Sequence, residues 1–197
     1  MKNIIKLILL SALLLTNVAY SKVTLSDTKR IDEYFDLLAT EKTDFEPVGA
    51  VCERVAVREV EAMYPSVNYN IINSISYTQH DVTIGELDVV IIDKATEKVE
   101  AVAEVKCWKS YEGALKKARD QRKRFLTHLN NKIVIKDKTG KVYSKDVFKN
   151  IQKYFSISQA GGVNQGFDFE LSMNLKDLMT LRTRLLECKS QGRCPRR

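Results

Sequence analysis

Residues 82–108 read VTIGELDVVIIDKATEKVEAVAEVKCW, two runs rich in Val, Ile and Ala joined by the polar segment DKATEK. Runs of this kind bounded by turn residues are strands, and two of them around a short polar connection form a hairpin. Alternate residues of a strand share a face, so Glu86, Asp88 and Val90 group on the first run, and Val102, Glu104 and Lys106 on the second. A turn about Ala95 and Thr96 pairs residues whose numbers sum to about 191, which sets Asp88 opposite Ala103, give or take one residue. Asp88 and Glu104 are then direct or diagonal neighbours, roughly 5–8 Å apart between Cβ atoms. Carboxylates that close repel each other, and stability alone gives no reason to put them there. A divalent cation removes the conflict, because hard cations take carboxylate oxygens as ligands. Lys106, on the same face, then stands beside the metal and its water. The competing reading is a solvated antiparallel face that simply carries charges.

The flanking sequence reads as an α/β layered domain. Residues 26–40 and 47–63 have apolar positions at helical spacing, with Pro65 closing the second helix. NYNIINSISY (68–77) alternates as a strand, and YEGALKKARDQRKRFLTHLN (111–130) is the strongest helix of the chain. Beyond it, residues 132–144 read as a hairpin with a Gly turn, 145–155 as a short helix, 167–173 as a strand and 175–189 as a closing helix.

The start of the chain has another character. MKNIIKLILLSALLLTNVAYS (1–21) has basic Lys2 and Lys6, an apolar run centred on Leu7 to Leu15, and a small-x-small Ala19-Tyr20-Ser21 end. That run is short of the ~20 residues a membrane span needs. The expectation is a secretory signal peptide at 1–21 and a secreted or periplasmic mature chain of one domain, 22–197, with a core at about 47–160 and a C-terminal helical extension. Removing Lys2 and Lys6 takes the formal charge from +7 to +5, since residues 1–21 hold no acid. A basic exported protein suits a polyanion, whether nucleic acid, acidic envelope polymer or anionic lipid. Of the four cysteines, Cys188 and Cys194 close a short polar loop and are expected to bridge; Cys52 and Cys107 fit a second bridge or small buried apolar groups equally. With two His and no C-x-x-C pair, the sequence argues against structural zinc.

IGELDVVIID followed by AVAEVKCWK resembles the core of the PD-(D/E)xK nucleases, the restriction-endonuclease-like superfamily, with an acid on one strand and E-x-K on the next. The resemblance covers roughly residues 47–130 and implies a central mixed β-sheet flanked by helices. It also implies Mg²⁺ or Mn²⁺ held by Asp88 and Glu104, with the backbone carbonyl of Val105 as a further ligand. Lys106 corresponds to the lysine that orients the attacking water. GAVCE matches a G-x-x-x-E form that points to Glu53 on the first core helix, with Glu59 as the alternative. Leu87 stands where the family's proline would precede the acid. QRKRF resembles the Q-x-x-x-Y element of exonuclease-like members, with Phe125 for Tyr, and makes Gln121 a substrate-side residue.

From Lys106 to Arg124 the chain has eight Lys or Arg against Glu112 and Asp120. Acids are too scarce for i,i+4 pairing to account for the run, so Lys109, Lys116, Lys117, Arg119, Arg122 and Lys123 are expected to meet phosphates. Trp108 is expected to cap the core at the end of its strand; stacking on a base is the alternative. His80 and His128 read as peripheral. The sequence therefore points to a secreted metal-dependent nuclease acting on DNA. Three alternatives stand beside it: an inactive nucleic-acid-binding protein of the same fold, an RNA-cleaving toxin, and an envelope protein that binds acidic polymer through a generic basic face.

Overall fold

The computed structural model describes residues 27–195; the expected signal peptide lies outside them. Among the described residues the protein is α/β, with four α-helices and an open, mixed seven-stranded sheet. The helices are α1 (Asp27–Ala39), α2 (Val48–Met63), α3 (Tyr111–Leu129) and α4 (Leu175–Ser190). The strands are β1 (Tyr69–Gln79), β2 (Val82–Asp93), β3 (Lys98–Val105), β4 (Val134–Asp137), β5 (Val142–Tyr143), β6 (Lys153–Ser158) and β7 (Phe169–Glu170). Their order is β5-β4-β1-β2-β3-β6-β7, antiparallel except for the β3–β6 and β6–β7 pairs. Among these residues no helix is long and apolar enough to cross a membrane.

Each face of the sheet carries its own core. Val51, Val55 and Val60 of α2, with Leu178, Leu181 and Leu185 of α4, cover Val89, Ile91, Ala101, Ala103 and Val105. On the opposite face Phe125 of α3 packs with Ile75, Tyr77, Leu87, Val90 and Val102. Helix α3 begins where Ser110 accepts the Gly113 N–H at 3.2 Å, a cap that contributes about 1 kcal/mol.

Two expected elements differ. Residues 145–155 are not a helix: Lys145–Phe148 make one 3-10 turn, and Lys153–Ser158 enter the sheet beside β3. Phe155, Ser156, Ile157 and Ser158 are buried there, and tertiary pairing with β3 outweighs the helical reading of the segment. The strand expected at 167–173 shrinks to the two residues of β7.

The hairpin forms as expected, with Asp93 Oδ1 accepting the Ala95 and Thr96 N–H groups in the turn. Its register begins on the expected sum, with Asp93 paired to Lys98 and Ile92 to Val99. An irregularity between Ile91 and Ile92 then shifts it by one, pairing Ile91 with Ala101 and Val89 with Ala103. Extended one step, this register aligns Asp88 with Glu104 rather than with Ala103. A second irregularity flips the facing of β2: β1–β2 pairing passes over Ser74 and Asp88, and Ser74 has φ 68°. Val90 and Leu87 consequently join one core while Val89 and Ile91 join the other, so the expected common face of Glu86, Asp88 and Val90 does not exist.

Both cysteine pairs are bridged. Cys188–Cys194 closes the loop after α4, and Cys52–Cys107 ties α2 to the chain just beyond β3.

Candidate functional site

Strands β2 and β3 part after the Val89–Ala103 pair, and the gap between them is filled by side chains. Asp88, 5 % exposed, accepts the Val105 N–H at 2.8 Å and the Lys106 ammonium at 2.6 Å, both on Oδ2. Lys106 Nζ also donates to the Val105 carbonyl at 2.9 Å and lies 3.5 Å from Glu104 Oε2. Three oxygens from Asp88, Val105 and Glu104 thus converge on one cationic point. Glu104 is 4 % exposed, and neither of its carboxylate oxygens has a hydrogen-bond partner. A buried carboxylate without a hydrogen bond is expensive even with the Lys106 charge beside it. Burial, and then the Asp88 charge, hold Glu104 well above the usual carboxylate range, with Lys106 pulling the other way. Burial by itself would lower Lys106, but Asp88 and Glu104 outweigh it and raise the ammonium's pKa.

On the α2 side a cleft of about 1080 Å³ opens between the start of α2, the β1–β2 ribbon and the β4–β5 hairpin. Glu53, Glu86, Asn73, Ser74 and Lys138 line it. Burial, then Asp88 and Glu86, push the Glu53 carboxyl up to about 7, against Lys106 and Lys138. Burial raises Glu86 as well, opposed chiefly by Lys138. Strand alternation puts Glu86 on the face of Asp88, as an extra ligand or, the favoured reading, a surface residue; the flip at Asp88 instead turns it towards Glu53's cleft. Glu59, the alternative to Glu53, has a different task. Its Oε1 accepts from Tyr34 Oη (3.0 Å), Ser172 N (2.9 Å) and Ser172 Oγ (2.7 Å), joining α1, α2 and the segment before α4.

On the α3 side a smaller pocket of about 240 Å³ is lined by Glu104, Arg119, Arg122, Tyr154, Ser156 and Asp168, among others. Lys109, Lys116, Lys117, Arg119, Arg122 and Lys123 are all exposed, so the basic run is accessible along α3. Gln121 lies outside the linings of both the cleft and this pocket, and its Oε1 is buried without a partner. Trp108 is 45 % exposed and does not cap the core; Cys107, beside it, is the buried residue, held by its bridge to α2. Asp168 drew no attention in the sequence, since an isolated acid before a two-residue strand carries no spacing signal.

Among the described residues no group of three or more His, Cys, Asp or Glu side chains is arranged to hold a metal ion. A metal at Asp88 and Glu104 is compatible with the donors in one respect: the Val105 carbonyl and the two carboxylates already face a shared cation, and Glu104's oxygens are unspent. Binding there requires the Lys106 amine to give up part of that space.

No family model matches the chain, and neither does any curated protein or solved structure.

Proposed function

We propose that the protein is an exported, metal-dependent nuclease that hydrolyses phosphodiester bonds, with DNA as the first substrate to test and RNA as the second. The observation that carries this reading is the convergence of Asp88 Oδ2, the Val105 carbonyl and Glu104 Oε2 on the Lys106 ammonium, at the point where β2 and β3 part. A mixed sheet bearing that hairpin, with α2 and α3 on its two faces, supports a restriction-endonuclease-like core.

Asp88, Glu104 and the Val105 carbonyl would hold Mg²⁺ or Mn²⁺, which supplies charge to polarise a phosphate and to acidify a bound water. Lys106 contributes a fixed cation that orients a water and balances charge growing on the phosphate. Glu53, titrating near neutrality, can hold or accept a proton on the α2 side. The basic residues of α3 supply sequence-independent attraction to the strand. Two disulfides fit an oxidising compartment, in keeping with export.

The absence of a three-ligand cluster among the described residues favours a second reading, a protein of this fold that binds nucleic acid without cutting it. One experiment separates the two. Plasmid and linear duplex DNA, and then RNA, are incubated with residues 22–197 in Mg²⁺, Mn²⁺ or EDTA, beside Glu104→Gln and Lys106→Met. Metal-dependent cleavage lost in both variants supports the nuclease. Salt-dependent binding by a folded wild type that never cuts supports the binding protein.

A further inference from the structure

Every other arginine among the described residues donates a hydrogen bond to a protein acceptor. Arg30 bonds Ser172 O, Arg54 and Arg58 bond Glu41, and Arg124 bonds Ile84 O. Arg182, Arg184 and Arg193 bond Phe45 O, Asp32 and Gln191. Arg119 and Arg122, one turn apart on α3, make no such bond, yet both line the pocket beside Glu104. Arg122 stacks over the Tyr154 ring, 4.6 Å from its centroid. Stacking uses the face of the guanidinium and fixes its plane while leaving the in-plane N–H donors free. The Tyr154 hydroxyl, on another residue of the same wall, is also buried without a partner.

The acids nearby do not neutralise these two cations. Asp168 Oδ2 is committed to the Ser156 N–H at 2.7 Å and the Ser156 hydroxyl at 2.9 Å, and neither arginine forms an ion pair with it. The pocket's 240 Å³ is below the roughly 300 Å³ at which small-molecule sites begin, so it suits a single group rather than a stretch of duplex. Planar guanidinium donors are matched in geometry and charge by phosphate oxygens.

We infer that the pocket between α3 and β6 is a subsite for one phosphate group of a nucleotide strand, bound by Arg119 and Arg122 at the edge of Glu104. This deepens the nuclease reading and rests on it: the subsite fixes how far along the strand the cleaved bond lies from a gripped phosphate. The gripped group is a terminal monoester or an internal diester of the strand.

The test is an NMR titration of the disulfide-bonded chain, residues 22–197, in EDTA with inorganic phosphate, a deoxynucleoside 5′-monophosphate and the same deoxynucleoside without phosphate. Phosphate and nucleotide should shift the amides of Arg119, Arg122, Gly166 and Asp168 saturably, and the nucleoside should not. Arg119→Ala and Arg122→Ala, checked for folding by circular dichroism, should each weaken binding about tenfold or more; Arg193→Ala should not. Unsaturable shifts spread over the basic surface, or equal binding of the nucleoside, would overturn the subsite. A cleavage arm in Mg²⁺ compares oligonucleotides with and without a 5′-phosphate. A lower KM for the phosphorylated end assigns the monoester; equal KM values, both raised in the arginine variants, assign the diester. Wild type that binds phosphate in the pocket but cleaves nothing refutes the nuclease reading and leaves the subsite standing.

Discussion

The carboxylate of Asp88 takes over a backbone's work at Val105: its Oδ2 accepts the Val105 N–H at 2.8 Å, beyond the last ladder pair of β2 and β3. The same oxygen holds the Lys106 ammonium at 2.6 Å, so one atom both closes the splayed strand ends and sets the position of the amine. Structure and chemistry are coupled there, and substitutions can separate them.

Glu104→Gln keeps the shape of a side chain that burial already holds towards its neutral form. At about pH 4 in EDTA, where the unfolded carboxyl is also largely protonated, its effect on stability should be within about 1 kcal/mol in urea denaturation, and at higher pH it should stabilise by removing the cost of the raised carboxyl. Metal-dependent cleavage should fall by about 10² to 10³, and the rise in melting temperature given by Mg²⁺ should vanish. A large loss of stability with activity intact would make Glu104 a structural acid.

Lys106→Met should behave in the opposite way towards stability. Removing the ammonium leaves the buried Asp88 with the Val105 N–H alone, at a cost of about 3–5 kcal/mol. Cleavage should drop by roughly 10² to 10⁴ when assayed at a temperature where the variant is folded. A variant as stable as the wild type in urea would refute the account of the ion pair.

The metal-free protein should lose stability as pH rises. Glu53 titrates at about 7 in the folded state against an ordinary 4.5, so between those values the folded chain holds the extra proton. The slope reaches at most about 1.4 kcal/mol per pH unit for that proton. Glu104, raised further, extends the decline to the alkaline side. Urea midpoints measured in EDTA from pH 5 to 9 read this directly, and Glu53→Gln should flatten the lower part of the curve.

Glu59→Ala tests the division of labour on α2. It strands the Tyr34 hydroxyl and both Ser172 donors, and should cost about 2–4 kcal/mol while kcat at a permissive temperature stays near wild type. Glu53→Gln should do the reverse, lowering kcat while raising the melting temperature at and above neutral pH, where the wild type bears the cost of ionising a buried Glu53.

The two disulfides should differ in worth. Loop-closure entropy gives roughly 4 kcal/mol for a separation of 55 residues and roughly 2 kcal/mol for one of 6. Cys52 adjoins Glu53 and Cys107 adjoins Lys106, so Cys52→Ser with Cys107→Ser should also lower kcat, whereas Cys188→Ser with Cys194→Ser should leave it unchanged. Thermal melts and cleavage rates of the two double variants make the comparison.

Read alone, the sequence determined the hairpin and the identities of its charged residues. Alternating Val and Ile with a polar turn has one compact solution, and the Asp93 turn makes it. The helices α2 and α3 and the Cys188–Cys194 loop were legible too, because caps, apolar period and a short Cys spacing are local signals. Tertiary structure decided the rest. The one-residue shift at Ile91 that pairs Val89 with Ala103, and the reversal at Ser74 and Asp88 that sends Glu86 towards Glu53, are irregularities no periodic pattern encodes. Residues 153–158 became a strand only because β3 offered an unpaired edge, and that strand supplies Tyr154 and Ser156 to the pocket beside Glu104. Which carboxylates are buried together, and hence which are pushed towards neutrality, depends on contacts between elements far apart in the chain. Local propensity cannot specify those contacts, since they exist only once both cores have packed.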